Sequence, residues 1–246
     1  MTLSSIQQVI LQKAAVEEGL DKDWLCFASL GAPARIRLSI IGSDYIVATD
    51  HNAAAADLTP RWKKFDDTMA GGFTAFRVSG TEALHVLVGD IWRLACALPQ
   101  APLRTFETET QDLPRSTEAE RIVVQRVGQD IFRKALLAYW AGACAVTGIT
   151  EPRLLRASHI KPWADCDTDA ERLDVFNGLL LAAHLDAAFD AGLISFADDG
   201  TIILSPRFAQ ADRDGVSIQE TLTLTQVPAA CRPRLAWHRT NIFLGL

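Results

Sequence analysis

Three short stretches decide the fold of the C-terminal half: ASHIKPW at residues 157–163, NGLLL at 177–181 and HLDAAFD at 184–190. The first lies in LLRASHI, which predicts a strand ending near His159, and NGLLL predicts a second short strand opening with Asn177. HLDAAFD predicts a short helix that stops at Gly192. An irregular, acidic loop, KPWADCDTDAERLDVF, joins the two strands. Two strands and a helix therefore carry an imidazole, an amide and two carboxylates within a short span of chain.

The flanking segments complete a domain of mixed α and β structure. Thr117 and Glu120 form a capping box, which predicts a long helix over TEAERIVVQRVGQDIFRKALLAYW. A short CAVTG turn follows, and LISFADDGTIILS predicts a hairpin around Asp199 and Gly200.

The segment between residues 99 and 116, PQAPLRTFETETQDLPRS, holds three prolines and no apolar face, so it predicts a linker. Before it, a helix is expected from Ser5 to about Gly19. Strands are expected in WLCFASL, ARIRLSIIG, YIVATD and FTAFRVS, and a second helix in TEALHVLVGDIWRLACALP. We therefore expect an α+β protein with three parts: a small α+β module at 1–98, a linker at 99–116 and a second domain at 117–246.

Composition narrows the class of protein. With 246 residues, 49% of them apolar and 22% charged, the chain can bury a core, which excludes a disordered, collagen-like or coiled-coil architecture. No apolar run approaches the roughly 20 residues of a bilayer span, and the N-terminus does not resemble a secretory signal. The five cysteines are scattered and form no CxxC pair, which disfavours a disulfide framework or a cysteine zinc site and suits a reducing cytoplasm.

The charge distribution points to a local basic surface. The net charge of −6 argues against indiscriminate binding of nucleic acid. Residues 119–164, however, carry seven basic side chains against three acidic ones. This stretch predicts a phosphate-facing surface.

The linked motifs resemble those of the HNH endonucleases. The restriction-type branch of that family reads C-x-V-T-G, S/A-H-I-x-P-W, N-G-L-L-L and F-D-x-G-L-I, and all four occur here, at residues 144–148, 158–163, 177–181 and 189–194. The helix with Arg126, Gln129 and Arg133 and the tail with His238 and Arg239 also look like this branch. The resemblance spans about 117–246. It implies a ββα-metal nuclease domain after a long helix, acting on DNA with one divalent metal ion in a restriction or phage-defence setting.

The residues supply the chemistry that phosphodiester hydrolysis requires. A neutral imidazole titrates near pH 7, so His159 can accept a proton from water as the general base. The amide of Asn177 cannot titrate, but it can bridge the loop back to the His159 segment and fix the ring. Asn-Gly is also a common turn, and holding that turn is part of placing the base.

The metal site departs from the family pattern. Ser158 stands where many relatives have an Asp or His ligand, and Asp186 stands where the second His usually follows the Asn. Asp186 and Asp190 are four residues apart on one helical face, and their hard oxygens suit Mg²⁺ or Mn²⁺. We rank Asp186 first, Asp190 second and His184 third as ligands, and expect them to converge near the His159 ring. Either acid can instead serve only the helix end.

Several basic residues are candidate DNA contacts. Arg126, Gln129 and Arg133 form one polar stripe on the long helix, which is either a solvated face or a grip on phosphate. Lys161, two residues after the base, is a similar candidate.

Three hypotheses remain open from the sequence. The first is a metal-dependent DNA endonuclease whose N-terminal module recognises DNA. The second is a non-cleaving DNA-binding or regulatory protein on a decayed nuclease scaffold, suggested by Ser158 and Asp186. The third is a nuclease that the N-terminal module switches on. DNA is the expected partner, no membrane is involved, and a homodimer is possible because one active site cuts one strand at a time.

Overall fold

The computed structural model describes residues 25–28, 32–65, 71–98 and 100–245. The helix expected at Ser5–Gly19 lies outside these residues. The chain divides into two compact units, Met1–Ala101 and Pro102–Leu246. Both contain helices and strands, so the expected α+β class is confirmed. No helix in the described part of the chain combines the length and apolar character that a bilayer span requires.

The first unit is built on a four-stranded antiparallel sheet in the order β1-β2-β3-β4. Its strands are β1 (Leu25–Ala28), β2 (Arg35–Ile41), β3 (Asp44–Thr49) and β4 (Thr74–Ser79). Its helices are α1 (Asn52–Leu58) and α2 (Thr81–Ala97), and α2 packs against β3 and β4. The buried side chains of Val47, Phe76, Leu87 and Ile91 contribute to the core. The strands and the second helix expected from the sequence are confirmed within the described residues.

The segment expected to be a linker contains a helix. Helix α3 (Ala101–Thr110) occupies the middle of residues 99–116. Pro102, Phe106 and Thr110 are buried at spacings of four residues, so the helix has a narrow buried stripe in which only one residue is strongly apolar. Thr110 can be buried because its hydroxyl donates to the Phe106 carbonyl at 2.8 Å and accepts from Arg115 at 3.0 Å. The hydrophobic pattern was therefore too weak to predict this helix.

The second unit contains a long helix, a ββα arrangement and a C-terminal helix. Its longer elements are α4 (Glu118–Tyr139), β5 (Leu155–His159), α5 (Asp169–Arg172), β6 (Gly178–Ala182), α6 (Ala183–Asp190), β7 (Ile194–Phe196), β8 (Ile202–Leu204), α7 (Gln210–Gly215) and α8 (Arg232–Asn241). Short 3-10 turns lie at Pro152–Leu154, Trp163–Asp165, Val175–Asn177 and Ala229–Cys231. The predicted capping box at Thr117 and Glu120 is present.

The acidic loop is more ordered than expected. The Thr168 side chain accepts a hydrogen bond from the Glu171 backbone N–H and caps α5. The Asp174 side chain accepts one from the Phe176 backbone N–H and caps the 3-10 turn at Val175–Asn177. Such short caps make a helical turn possible without a hydrophobic stripe. The loop between the two strands is therefore a defined structure.

Close packing fixes the hairpin against the long helix. Strands β5 and β6 pair antiparallel with His159 opposite Gly178, and α4 packs on both. A Cβ atom added to Gly178 would lie 2.5 Å from the Phe132 ring, so only glycine permits this approach. Gly128, nearer the N-terminus of α4, permits a similar close approach, since an added Cβ would lie 2.6 Å from the Trp163 ring.

Helix α8 joins the two sides of the ββα arrangement. The buried His238 ring stacks on Phe189 of α6 at 3.8 Å, and its Nε2 lies 3.2 Å from the Phe189 carbonyl. The Nδ1 atom lies 2.9 Å from the Ser195 hydroxyl. On the loop side, Arg234 donates to Asp174 at 2.6 Å. The C-terminal helix therefore holds both α6 and the loop before β6.

Folding stability should fall as the pH drops from 6.5 towards 4, because burial lowers the pKa of His238 from 6.5 to about 4. Between these pH values the histidine is protonated in the unfolded chain and neutral in the folded chain. At pH 5 this difference lowers the free energy of unfolding by about 2 kcal/mol. Urea unfolding of the wild type and of His238→Gln at pH 7.5 and pH 5 measures this.

The wild type should lose about 2 kcal/mol more than the variant between these two pH values. Asp186 and Asp190, whose raised pKa values act in the opposite direction, are present in both proteins and cancel in the difference. Identical pH dependence in the two proteins would contradict the role given to His238.

Candidate active site

The imidazole of His159 is held by three contacts at the end of β5. Its ring stacks on Phe132 of α4, with ring centroids 3.8 Å apart, and meets the edge of Trp163 at 5.6 Å. Its Nε2 atom lies 2.9 Å from the Arg172 carbonyl oxygen. A carbonyl oxygen only accepts, so Nε2 must carry the proton and Nδ1 must carry the lone pair in the neutral ring.

Burial keeps this ring neutral. Desolvation lowers the pKa of His159 below its usual 6.5, and the hydrogen bond to the Arg172 carbonyl opposes this only in part. At neutral pH the ring is therefore in the form that accepts a proton.

Asn177 connects the start of the loop to its end. The side chain is fully buried, its Oδ1 accepts from the Lys161 backbone N–H at 2.9 Å, and its Nδ2 donates to the Lys161 carbonyl at 3.1 Å. Nδ2 also lies 3.4 Å from the Glu171 carbonyl and 3.3 Å from Cys166 Sγ. The amide thus spans the loop back to the residue two after His159.

Two carboxylates surround the hydroxyl of Ser158. Asp186 and Asp190 lie one turn apart on α6, and Ser158, only 2% exposed, donates to Asp190 at 3.4 Å. Burial raises the pKa of Asp186, while the Ser158 hydroxyl and Arg156 act to lower it. Burial, and then the charge of Asp186, raise the pKa of Asp190 to about 6. Two like charges share a partly desolvated site, and a bound cation would relieve the repulsion between them.

These oxygens fit a hard divalent cation. Two carboxylates and a hydroxyl offer the donor atoms that Mg²⁺ and Mn²⁺ prefer, with water completing the coordination shell. Within residues 25–28, 32–65, 71–98 and 100–245, no group of three or more His, Cys, Asp or Glu side chains is placed to hold a metal. The fit therefore rests on the pair and the serine.

The structure does not bring His184 to this pair. Residues two apart on a helix do not face one another, and His184 is two residues before Asp186. Among the described residues, no hydrogen bond or ion pair joins His184 to either carboxylate. The third-ranked ligand of the sequence prediction is thus unsupported by the geometry.

The carboxylates and the imidazole meet different neighbours at the same end of β5. The acids of α6 contact Ser158, whereas the contacts of His159 are with α4 and the loop. Successive side chains of a strand point to opposite faces, which explains this division. Ser158 and His159 are nevertheless consecutive, with Cα atoms about 3.8 Å apart. Direct contact of the ring with the carboxylates is not part of the arrangement.

Two of the three predicted DNA contacts are already engaged within the protein. Arg133 donates to the carbonyls of Leu155 and Pro152, each at 2.8 Å. The Lys161 ammonium lies 3.0 Å from Glu171 and 3.5 Å from Asp167, and its side chain is only 14% exposed. These cations stabilise β5 and the loop. Arg126 is exposed on α4 and keeps its candidacy.

The sequence analysis missed two arginines. Arg156 lies two positions before Ser158, so it shares that face of β5, and its charge reaches Asp186. The strand alternation could have predicted this placement. Arg172 supplies the carbonyl that holds His159, and nothing in the pattern of the acidic loop indicated that contact.

The family comparison agrees with this geometry. Residues 144–197 match the family model described as HNH endonuclease, and this range contains β5, α5, β6, α6 and the start of the following hairpin. No curated protein matches the chain. Residues 144–197 therefore carry an HNH endonuclease domain.

Proposed function

We propose that the protein is a metal-dependent DNA endonuclease in which His159 is the general base. The domain is that of a nuclease, and the substrate, the metal and the residue roles are our proposal. The observation that supports it most is the state of the His159 ring, which is neutral, fixed by a carbonyl on Nε2 and basic at Nδ1, next in sequence to a serine ringed by carboxylates.

The reaction requires a water to attack phosphorus while the 3′ oxygen leaves. In our proposal Nδ1 of His159 removes a proton from that water as its oxygen bonds to phosphorus. The P–O3′ bond breaks, the leaving 3′ oxygen takes a proton from solvent water, and 5′-phosphate and 3′-hydroxyl ends result. The stacked Phe132 and the edge of Trp163 restrict rotation of the ring, so the lone pair keeps one direction. Asn177 maintains the loop that carries the carbonyl partner. A positioned base of this kind contributes about 10²- to 10⁴-fold to rate.

Asp186, Asp190 and the Ser158 hydroxyl would hold the divalent cation. Such a cation supplies positive charge to a phosphate oxygen and to the leaving group when it is bound. The serine in place of a stronger ligand predicts weak affinity, so activity should require millimolar rather than micromolar metal. Loss of the cation would also leave the Asp186–Asp190 repulsion unrelieved.

Arg156 is our candidate for the phosphate contact nearest the cation. Its side chain is exposed, and its Nη1 donates to the carbonyls of Arg153 and Leu155, each at 3.0 Å. Within the described residues its other nitrogens make no hydrogen bond, so they remain for an incoming phosphate. Arg contacts of this kind position DNA and do not read its sequence.

The biological setting remains a proposal based on resemblance. The restriction-type motifs favour a role in restriction or phage defence, with the N-terminal unit recognising DNA or a modified base. The non-cleaving alternative is favoured by one observation, the weak ligand Ser158 in the metal site.

Replacing the base should abolish most of the cleavage. We expect His159→Ala to cut supercoiled plasmid at least 100-fold more slowly than the wild type with Mn²⁺ or Mg²⁺, because no other group takes the proton. His159→Asn keeps a polar, planar side chain between Phe132 and Trp163, although a smaller one, and should show the same loss of cleavage while remaining folded.

His85→Ala, which removes an exposed histidine from α2, is the control and should cut normally. Equal cutting by wild type and His159→Ala would remove His159 from the mechanism. DNA retention in a gel shift without turnover by the wild type under any divalent ion would instead establish the non-cleaving alternative.

Removal of Arg156 should weaken DNA binding without changing its sequence preference. We expect Arg156→Ala, measured with Ca²⁺ in place of the catalytic metal, to lower the slope of log affinity against log salt by about one unit. Arg207→Ala, an exposed arginine outside the ββα arrangement, should leave the slope unchanged. A slope that is the same in Arg156→Ala and the wild type would rule out this phosphate contact.

A further inference from the structure

The loop between the two strands contains a short helix whose last carbonyls accept hydrogen bonds from side chains. Helix α5 comprises only Asp169–Arg172, and the final carbonyls of any helix lack partners within it. Here the Arg172 carbonyl accepts from His159 Nε2 at 2.9 Å, and the Glu171 carbonyl accepts from Asn177 Nδ2 at 3.4 Å. The end of α5 is therefore the acceptor for both side chains that we place at the reaction.

The side chain of Arg172 folds back over the same loop. Its Nε donates to the Trp163 carbonyl at 3.1 Å, its Nη1 donates to Asp169 at 3.0 Å, and its Nη2 donates to the Cys166 carbonyl. These acceptors, at positions 163, 166 and 169, lie in the first half and the middle of the loop. The guanidinium presents its donors from three nitrogens in a rigid plane, a geometry that the single ammonium nitrogen of a lysine does not reproduce.

The same residue also touches the second neighbour of the imidazole. The Arg172 guanidinium lies 5.9 Å from the Trp163 ring centroid, and Trp163 presents its ring at right angles to His159. The arginine is only 22% exposed and lies beside the base. The backbone carbonyl of Arg172 is thus the hydrogen-bond partner of the imidazole, and its side chain contacts Trp163, which packs against the imidazole.

We propose that Arg172 is a positioning residue that fixes His159 in its Nε2–H tautomer by clamping the loop around its own carbonyl. The catalytic consequence rests on the proposed function, whereas the tautomer does not. Without the clamp the Arg172 carbonyl is free to move from the ring, and Nδ1 then competes for the proton. A ring protonated at Nδ1 has its lone pair on the wrong nitrogen and cannot serve as the base in this orientation.

The direct test is nitrogen NMR of the full-length, metal-free protein labelled at histidine, with the His159 signals identified by their absence from His159→Asn. Two-bond couplings from the ring protons distinguish the two neutral tautomers. We expect wild type to show the Nε2–H form alone and Arg172→Met, which keeps the aliphatic stem, to show a mixture. Arg213→Met is the matched control, since Arg213 is similarly buried and paired with Glu220 outside the loop, and it should leave His159 unchanged.

Cleavage provides the second measurement. At saturating DNA we expect Arg172→Met to reduce the single-turnover rate about 10- to 100-fold, the usual range for partners that orient a functional histidine, with the apparent KM unchanged. Should Arg172→Met fail to fold, Arg172→Lys replaces it in both experiments. It keeps the charge and should show an intermediate rate and a partial mixture of tautomers.

The outcomes separate the two proposals. Absence of cleavage by the wild type overturns the nuclease function, and the tautomer comparison still decides the role of Arg172. Normal cleavage and a single Nε2–H tautomer in the arginine variants overturn the role of Arg172 and leave the nuclease intact. A raised KM with an unchanged tautomer also overturns it, because that result assigns Arg172 to substrate binding.

Discussion

The candidate site depends on one hydrogen bond, from Nε2 of His159 to the main-chain carbonyl of Arg172. The bond decides which nitrogen of the ring can accept a proton. Its acceptor is a main-chain atom, so a substitution cannot remove it directly. Contacts that hold the Arg172 carbonyl in place therefore also hold the His159 ring in its orientation. The Asn177 amide donates to the Lys161 carbonyl, and the Arg172 guanidinium donates to the Trp163 carbonyl, so both side chains bridge separate parts of the loop.

The long helix α4 supplies the rigid surface against which this bond forms. Phe132 stacks on the imidazole, and the same ring leaves no room for a Cβ at position 178, so the glycine of NGLLL and the histidine of ASHIKPW both pack against one side chain. On the opposite face of the hairpin, α6 presents its carboxylates to Ser158. The alternation of side chains along β5 therefore gives the His159 ring and the Ser158 hydroxyl different neighbours.

Much of this architecture could be predicted from the sequence. The ββα order, the capping box at Thr117 and the acidic pair on α6 follow from local pattern, because strands, caps and i, i+4 spacing depend on near neighbours. Helix α3 was missed because its buried stripe of Pro102, Phe106 and Thr110 lacks an apolar signature. The internal partners of Arg133 and Lys161 could not be predicted from the sequence, because they lie 19 to 22 and 6 to 10 residues away and only the folded chain brings them together. Arg172 escaped notice because its decisive atom belongs to the backbone.

We propose that a divalent cation binds between Asp186, Asp190 and Ser158, one residue from a neutral general base. A titration of the metal-free, ¹⁵N-labelled protein with Mn²⁺, followed by paramagnetic broadening of the amide signals, tests this without reference to cleavage. We expect the amide signals of Ser158, His159, Asp186 and Asp190 to broaden first, and replacement of both aspartates by asparagine to remove the effect. Broadening that begins instead in the acidic loop around Asp165 and Asp167, or that persists in the double variant, would contradict it.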